Sequence, residues 1–185
     1  MHPDDVAERV ADEVETLRAR LAAAPELRAS EPHLIDRFEL RVAFTRVAFR
    51  AVLPVALPAR ISCPHCPPGQ ALMRVVPAKV GRFERELVLR SFCDNYDGQA
   101  ITAELLLPNG DPLPDHEWPK TLGREAIIRG HEEYDRPFFC RRGLREYHSH
   151  PQHEDNPWDA HRERIRIYHV VLELLRDLQT RWNLE

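Results

Sequence analysis

The chain carries no apolar run near the roughly 20 residues needed to span a bilayer, and its opening MHPDDVAERV is acidic, without the apolar centre of a signal peptide. Membrane insertion and export are therefore not expected. Lysine is scarce, with only Lys79 and Lys120, while the arginines are spread along the chain with no dense basic tract. With a net charge of −4, nothing suggests nucleic-acid binding through a general positive field. No phosphate-cradling glycine loop, dinucleotide fingerprint or serine-nucleophile elbow occurs. Cysteine is limited to four residues, and in an unexported chain these imply reduced thiols and metal ligation rather than disulfides. The Ala, Arg and Pro bias suggests a GC-rich bacterial genome, and the expected location is the cytoplasm.

At 185 residues, 43% hydrophobic and 30% charged, the chain is expected to form one soluble α+β domain spanning residues 1–185. Its first part, residues 1–30, holds a helix over 4–23. Val6, Val10, Val14, Leu17 and Leu21 recur at helical spacing there, with Asp4 or Asp5 as the cap. Residues 38–107 form an antiparallel β-meander, with strands at Phe38–Phe44, Val47–Val52, Ala71–Val76, Leu87–Phe92 and Ile101–Leu107. Its turns are marked by Pro54 and Pro58, by Pro67-Pro68-Gly69, by Asn95–Gly98 and by Asn109-Gly110. Residues 108–137 read as irregular and proline-punctuated, with a short helical turn near Gly123–Gly130. A long C-terminal helix is expected over Trp158–Trp182, started by Asp155 or Asn156 before Pro157. The part from 108 to 185 thus joins a metal cluster to this helix.

That cluster is the chemical centre of the sequence. Between Cys140 and His153 stand one thiol, one carboxylate and three imidazoles: Cys140, Glu146, His148, His150 and His153. Thiolate with imidazole selects zinc over magnesium or calcium, and four of the five suffice for a tetrahedral site. In an extended segment, alternation would put Glu146, His148 and His150 on one face, with Cys140 approaching across the turn at Gly143. Four protein ligands would close the site and make it structural. Three would leave a place for water, with Glu146 or Glu154 as a general base. A single short segment supplying every ligand favours the structural form.

Cys63-Pro-His-Cys66 is a second half-site of zinc-knuckle type, short of a partner pair unless Cys93 and a histidine join it. Cys93 itself reads as a buried strand cysteine. Trp118 and Trp158 read as residues closing a core edge, and His131 and His161 as surface or helix residues.

The order Cys140…Glu146-x-His148-x-His150-Pro151-x-His153…Trp158 resembles the predicted metal-binding CEHH domain of bacteria, over residues 84–182. That family sits in gene neighbourhoods encoding ubiquitin-like modifiers with their activating and conjugating enzymes. The resemblance implies a bound zinc and a ubiquitin-like conjugating enzyme, activating enzyme or modifier as partner. The order of elements is also similar to that of ubiquitin-conjugating enzymes, but their His-Pro-Asn motif and active cysteine are missing, so such a copy would be catalytically silent. His148-Ser-His150-Pro151 looks like the HxHP core of JAB-type isopeptidases, which would imply a zinc-dependent hydrolase. Trp158 and His161 stand where those enzymes need Ser and Asp. The expectation is a zinc-binding, non-catalytic accessory protein of a bacterial ubiquitin-like conjugation pathway.

Overall fold

Val6, Val10, Glu13, Val14, Leu17 and Leu21 all lie buried on one stripe of helix α1, Pro3–Ala22, in a computed structural model that describes residues 2–52, 79–96, 98–122, 125–132 and 134–183. The helix starts one residue before the expected 4–23 span, and the acidic pair lies inside its first turn rather than at the cap. His2 is the cap: its Nδ1 accepts the Asp4 N–H, and the Asp5 carboxylate accepts the His2 N–H in return.

Contacts divide the chain into two compact units, Met1–Arg46 with Arg85–Glu185, and Val47–Glu84. The expected strand at 71–76, the proline turns from 54 to 69 and the Cys63/Cys66 half-site lie outside the described residues. The first sheet has the order β1-β2-β3-β4, with β1 at His33–Leu34, β2 at Glu39–Val52, β3 at Lys79–Phe92 and β4 at Glu104–Leu106. β1 runs antiparallel to β2, and β4 to β3. Leu40, Val42 and Phe44 on β2 alternate inward, as do Leu87 and Leu89 on β3. These side chains share one core with α1 and with helix α3, Ile167–Thr180, whose Ile167, Val170, Val171, Leu174, Leu175 and Leu178 are all buried.

The region expected to be irregular contributes two strands, β6 falling where a helical turn was expected, to a second antiparallel sheet ordered β7-β6-β5-β8. Its strands are β5 (Thr121–Leu122), β6 (Glu125–Ile128), β7 (Phe138–Cys140) and β8 (Trp182–Asn183). Strands this short give no usable period-2 signal. β8 recruits Trp182, expected on a helix face, to sit opposite Leu122. The C-terminal helix is correspondingly shorter than expected. Trp158–Ala160 is a separate 3-10 turn, and α3 begins at Ile167. The delay has a tertiary cause: the Glu13 carboxylate on α1 takes the Ile167 N–H at 2.5 Å and so sets where α3 starts. Among the described residues no helix is long and apolar enough to cross a membrane.

Candidate functional site

Cys140 ends β7 in register with Ala126 of β6, and the chain then turns sharply. Gly143 makes that turn at φ +95°, in the left-handed region where glycine is at ease. A Cβ there would lie 2.7 Å from Val170 Cγ2 and 2.9 Å from Ile165 Cγ2. Gly143→Ala is therefore expected to cost about 2 kcal/mol, from a strained φ and an overpacked neighbour, and to appear as a lowered thermal midpoint. On either side the turn is held by ion pairs. Arg141 bridges to Asp177 and Glu173 of α3, both at 2.8 Å, and Arg145 bonds Asp94 at 2.6 Å.

Beyond the turn, Arg145–Ser149 is helix α2. This overturns the extended reading of the motif. At 3.6 residues per turn, positions two apart point about 200° away from each other, so Glu146 and His148 leave α2 on opposite sides. His148 turns back to the loop: its Nε2 accepts the Gly143 N–H at 3.1 Å, and its Nδ1 donates to the Asn156 carbonyl at 2.8 Å. Both ring nitrogens are thereby engaged, and burial lowers its pKa from the usual histidine value. Glu146 is 7% exposed and faces a different cavity.

What the fold does bring together is Cys140 and His153. After α2, a 3-10 turn at Pro151–His153 is capped by the His150 ring, whose Nδ1 accepts the Gln152 N–H at 3.2 Å. This places His153 against Tyr147, rings stacked at 3.9 Å between centroids and 16° between planes. His153 Nε2 then lies 3.6 Å from Cys140 Sγ. Zinc bonds of about 2.3 Å to sulfur and 2.0–2.1 Å to nitrogen, at a tetrahedral angle, separate the two atoms by about 3.6 Å as well. The pair thus fits two ligand positions of one zinc ion. Among the described residues, no three Cys, His, Asp or Glu side chains are gathered around one point. His150 is nearest in kind, its ring centroid 5.7 Å from that of His153.

The pair lies in an open cleft of about 780 Å³ between the β7–α2 segment and α3, which also takes in His150, Arg142, Arg164, His169 and Glu173. His169 and Glu173 were not among the sequence candidates. Their i, i+4 spacing on one face of α3 was the signal that could have found them. Trp158 and Trp118 are buried, 6% and 3% exposed, as edge-closing residues. Cys93 is wholly buried, and desolvation pushes its thiol up to about 12, which makes it inert.

Residues 122–170 match a family model described as Y4jH-like, the Y4jH family. The matched segment runs from the end of β5 through β7 and α2 to the first turn of α3, and it contains Cys140, Glu146, His148, His150 and His153. No curated protein matches the chain.

Proposed function

We propose that the protein is a zinc-binding accessory component of a bacterial ubiquitin-like conjugation pathway, non-catalytic itself, which docks a conjugating enzyme, an activating enzyme or the modifier beside its metal cleft. The observation that carries the metal reading is the Cys140–His153 contact, whose 3.6 Å separation suits two ligands of one tetrahedral zinc. His150, which lines the same cleft with its ring centroid 5.7 Å from that of His153, is the nearest third ligand. Glu146 and His148, which the motif resemblance would enlist, serve other ends in this geometry. The pathway assignment rests on the resemblance of the Cys-Glu-His order to the CEHH domain.

The openness of the cleft favours one second reading, a zinc-dependent hydrolase in which water takes the fourth position. Ligand count separates the two. A site closed by four protein ligands supports the accessory role, and three ligands plus water supports the hydrolase.

The test is metal analysis of the full chain in a Cys63→Ser/Cys66→Ser background, so that the other CxxC contributes nothing. One zinc per chain is expected, lost in Cys140→Ser and in His153→Ala. It should be retained by the folded fraction of His148→Ala. Substoichiometric metal that does not respond to Cys140→Ser or His153→Ala would defeat the site. Co-purification with a conjugating enzyme encoded beside it tests the docking role, and no complex at micromolar concentration would remove that part.

A further inference from the structure

The open cleft beside Cys140 carries charge of the opposite sign to the chain that builds it. The sequence has 30 acidic residues against 26 lysines and arginines. Among the residues lining the cleft, however, Arg141, Arg142 and Arg164 stand against a single acid, Glu173. Arg141 takes that acid at 2.8 Å and Asp177 at the same distance. The acids close to Arg164 in sequence are taken by Arg162, which has Glu163 and Asp159 each at 3.9 Å. Arg142 and Arg164 are thus left exposed and without an ion pair among the described residues.

The two come from different parts of the chain. Arg142 lies in the turn after β7, and Arg164 lies between the Trp158–Ala160 turn and α3. The fold brings both to one concavity of about 780 Å³, within the usual range for a small-molecule site. Guanidinium groups opening on one concavity focus a positive field there, and each presents a planar fork of donors that fits a carboxylate or phosphate. Gln152 and His169, both exposed, add neutral donors to the same lining. Ile128, Ile165 and Val170 give it an apolar part.

We propose that this cleft binds a small organic dianion, its oxyanion head held by Arg142 and Arg164 and its body lying on Ile128, Ile165 and Val170. Two positive charges without counter-ions match a doubly charged head, which a phosphate monoester or a dicarboxylate supplies. The site rests on the arginines and not on the metal, so it stands or falls separately from the zinc reading.

The experiment is calorimetric titration of the full chain at low ionic strength with phenyl phosphate, with phenylmalonate, and with benzyl alcohol as the neutral control. Saturable binding of at least one dianion is expected, about tenfold or more tighter than that of the alcohol. Arg142→Gln and Arg164→Gln, at exposed positions where folding is not at stake, should each weaken it about five- to tenfold, as loss of a charged hydrogen bond implies. Arg176→Gln, exposed on α3 but outside the cleft lining, should leave it unchanged. Both cleft variants should keep the metal content of the wild type, which separates this site from the zinc reading. Tighter binding of phenyl phosphate supports the site with a phosphate ester as its ligand, and tighter binding of phenylmalonate supports it with a dicarboxylate. Dianion affinity no better than that of benzyl alcohol overturns the proposal. So does a loss missing from either cleft variant, or an equal loss in Arg176→Gln, the mark of general electrostatics.

Discussion

Glu13→Ala is expected to destabilise the protein by about 3–5 kcal/mol, the range seen when one partner of a buried ionic network is removed. Glu13 is 7% exposed on the apolar stripe of α1, yet four groups converge on it. The Ile167 N–H donates at 2.5 Å and the Tyr96 hydroxyl at 3.0 Å, while Arg166 lies at 3.6 Å and Arg9 at 3.8 Å. The Ile167 N–H is an orphan donor in the first turn of α3, so the carboxylate caps a helix distant in sequence. Removal to alanine strands the Ile167 N–H and takes one acceptor from the Tyr96 hydroxyl, which keeps the Ile165 carbonyl at 3.1 Å, and it removes the carboxylate that faces Arg9 and Arg166. For a chain of this length the thermal midpoint should fall on the order of 10 °C. Glu13→Gln keeps an acceptor and should cost less, because burial already raises the Glu13 pKa and makes its charge expensive. Denaturant unfolding of both variants, with exposed Glu8→Ala as control, checks the ordering. A loss below about 1 kcal/mol for Glu13→Ala would mean that α3 holds its start by apolar packing alone.

The same residue shows where reading from sequence succeeds and where it stops. The α1 stripe was legible because its period is local: Val6, Val10, Val14, Leu17 and Leu21 repeat at helical spacing whatever they pack against. Glu13 falls on that stripe too, but the reason for a buried acid lay on another helix. β2 and β3 were legible from alternation: β2 joins the two expected stretches, 38–44 and 47–52, into one strand, and β3 runs longer than expected. β5, β6 and β8 were not, since strands of two to four residues are defined by their partners rather than by a pattern. In the candidate site, the residue types pointed to the right segment and the wrong geometry. Glu146, His148 and His150 share a face only in an extended chain. Gly143 at φ +95° and the Arg145 N–H bonded to the Ile101 carbonyl at 2.7 Å instead turn the chain into α2. Cys140 and His153 meet because the Pro151–His153 turn folds back, a contact that linear spacing does not encode.

The second large effect belongs to Glu146 and is a matter of pH. Burial drives its carboxyl up from the ordinary glutamate value to about 7, with the Glu104 charge adding a little and Arg145 opposing. Between about pH 4.5 and pH 7 the folded protein therefore holds a proton that the unfolded chain has released. Under that condition stability falls as pH rises, by up to about 1.4 kcal/mol per unit. The loss attributable to this one group is about 3 kcal/mol, complete above the folded pKa and absent below the unfolded one. Glutamine imitates the protonated carboxyl, so Glu146→Gln should match wild type near pH 4.5 and exceed its stability by about 3 kcal/mol near pH 8. The comparison cancels the other titrating groups, including Glu104, Asp135 and the cavity arginines, because both proteins carry them. Urea unfolding of the pair across this range measures the difference directly. A gap that stays constant with pH would show that the Glu146 carboxylate is solvated rather than buried.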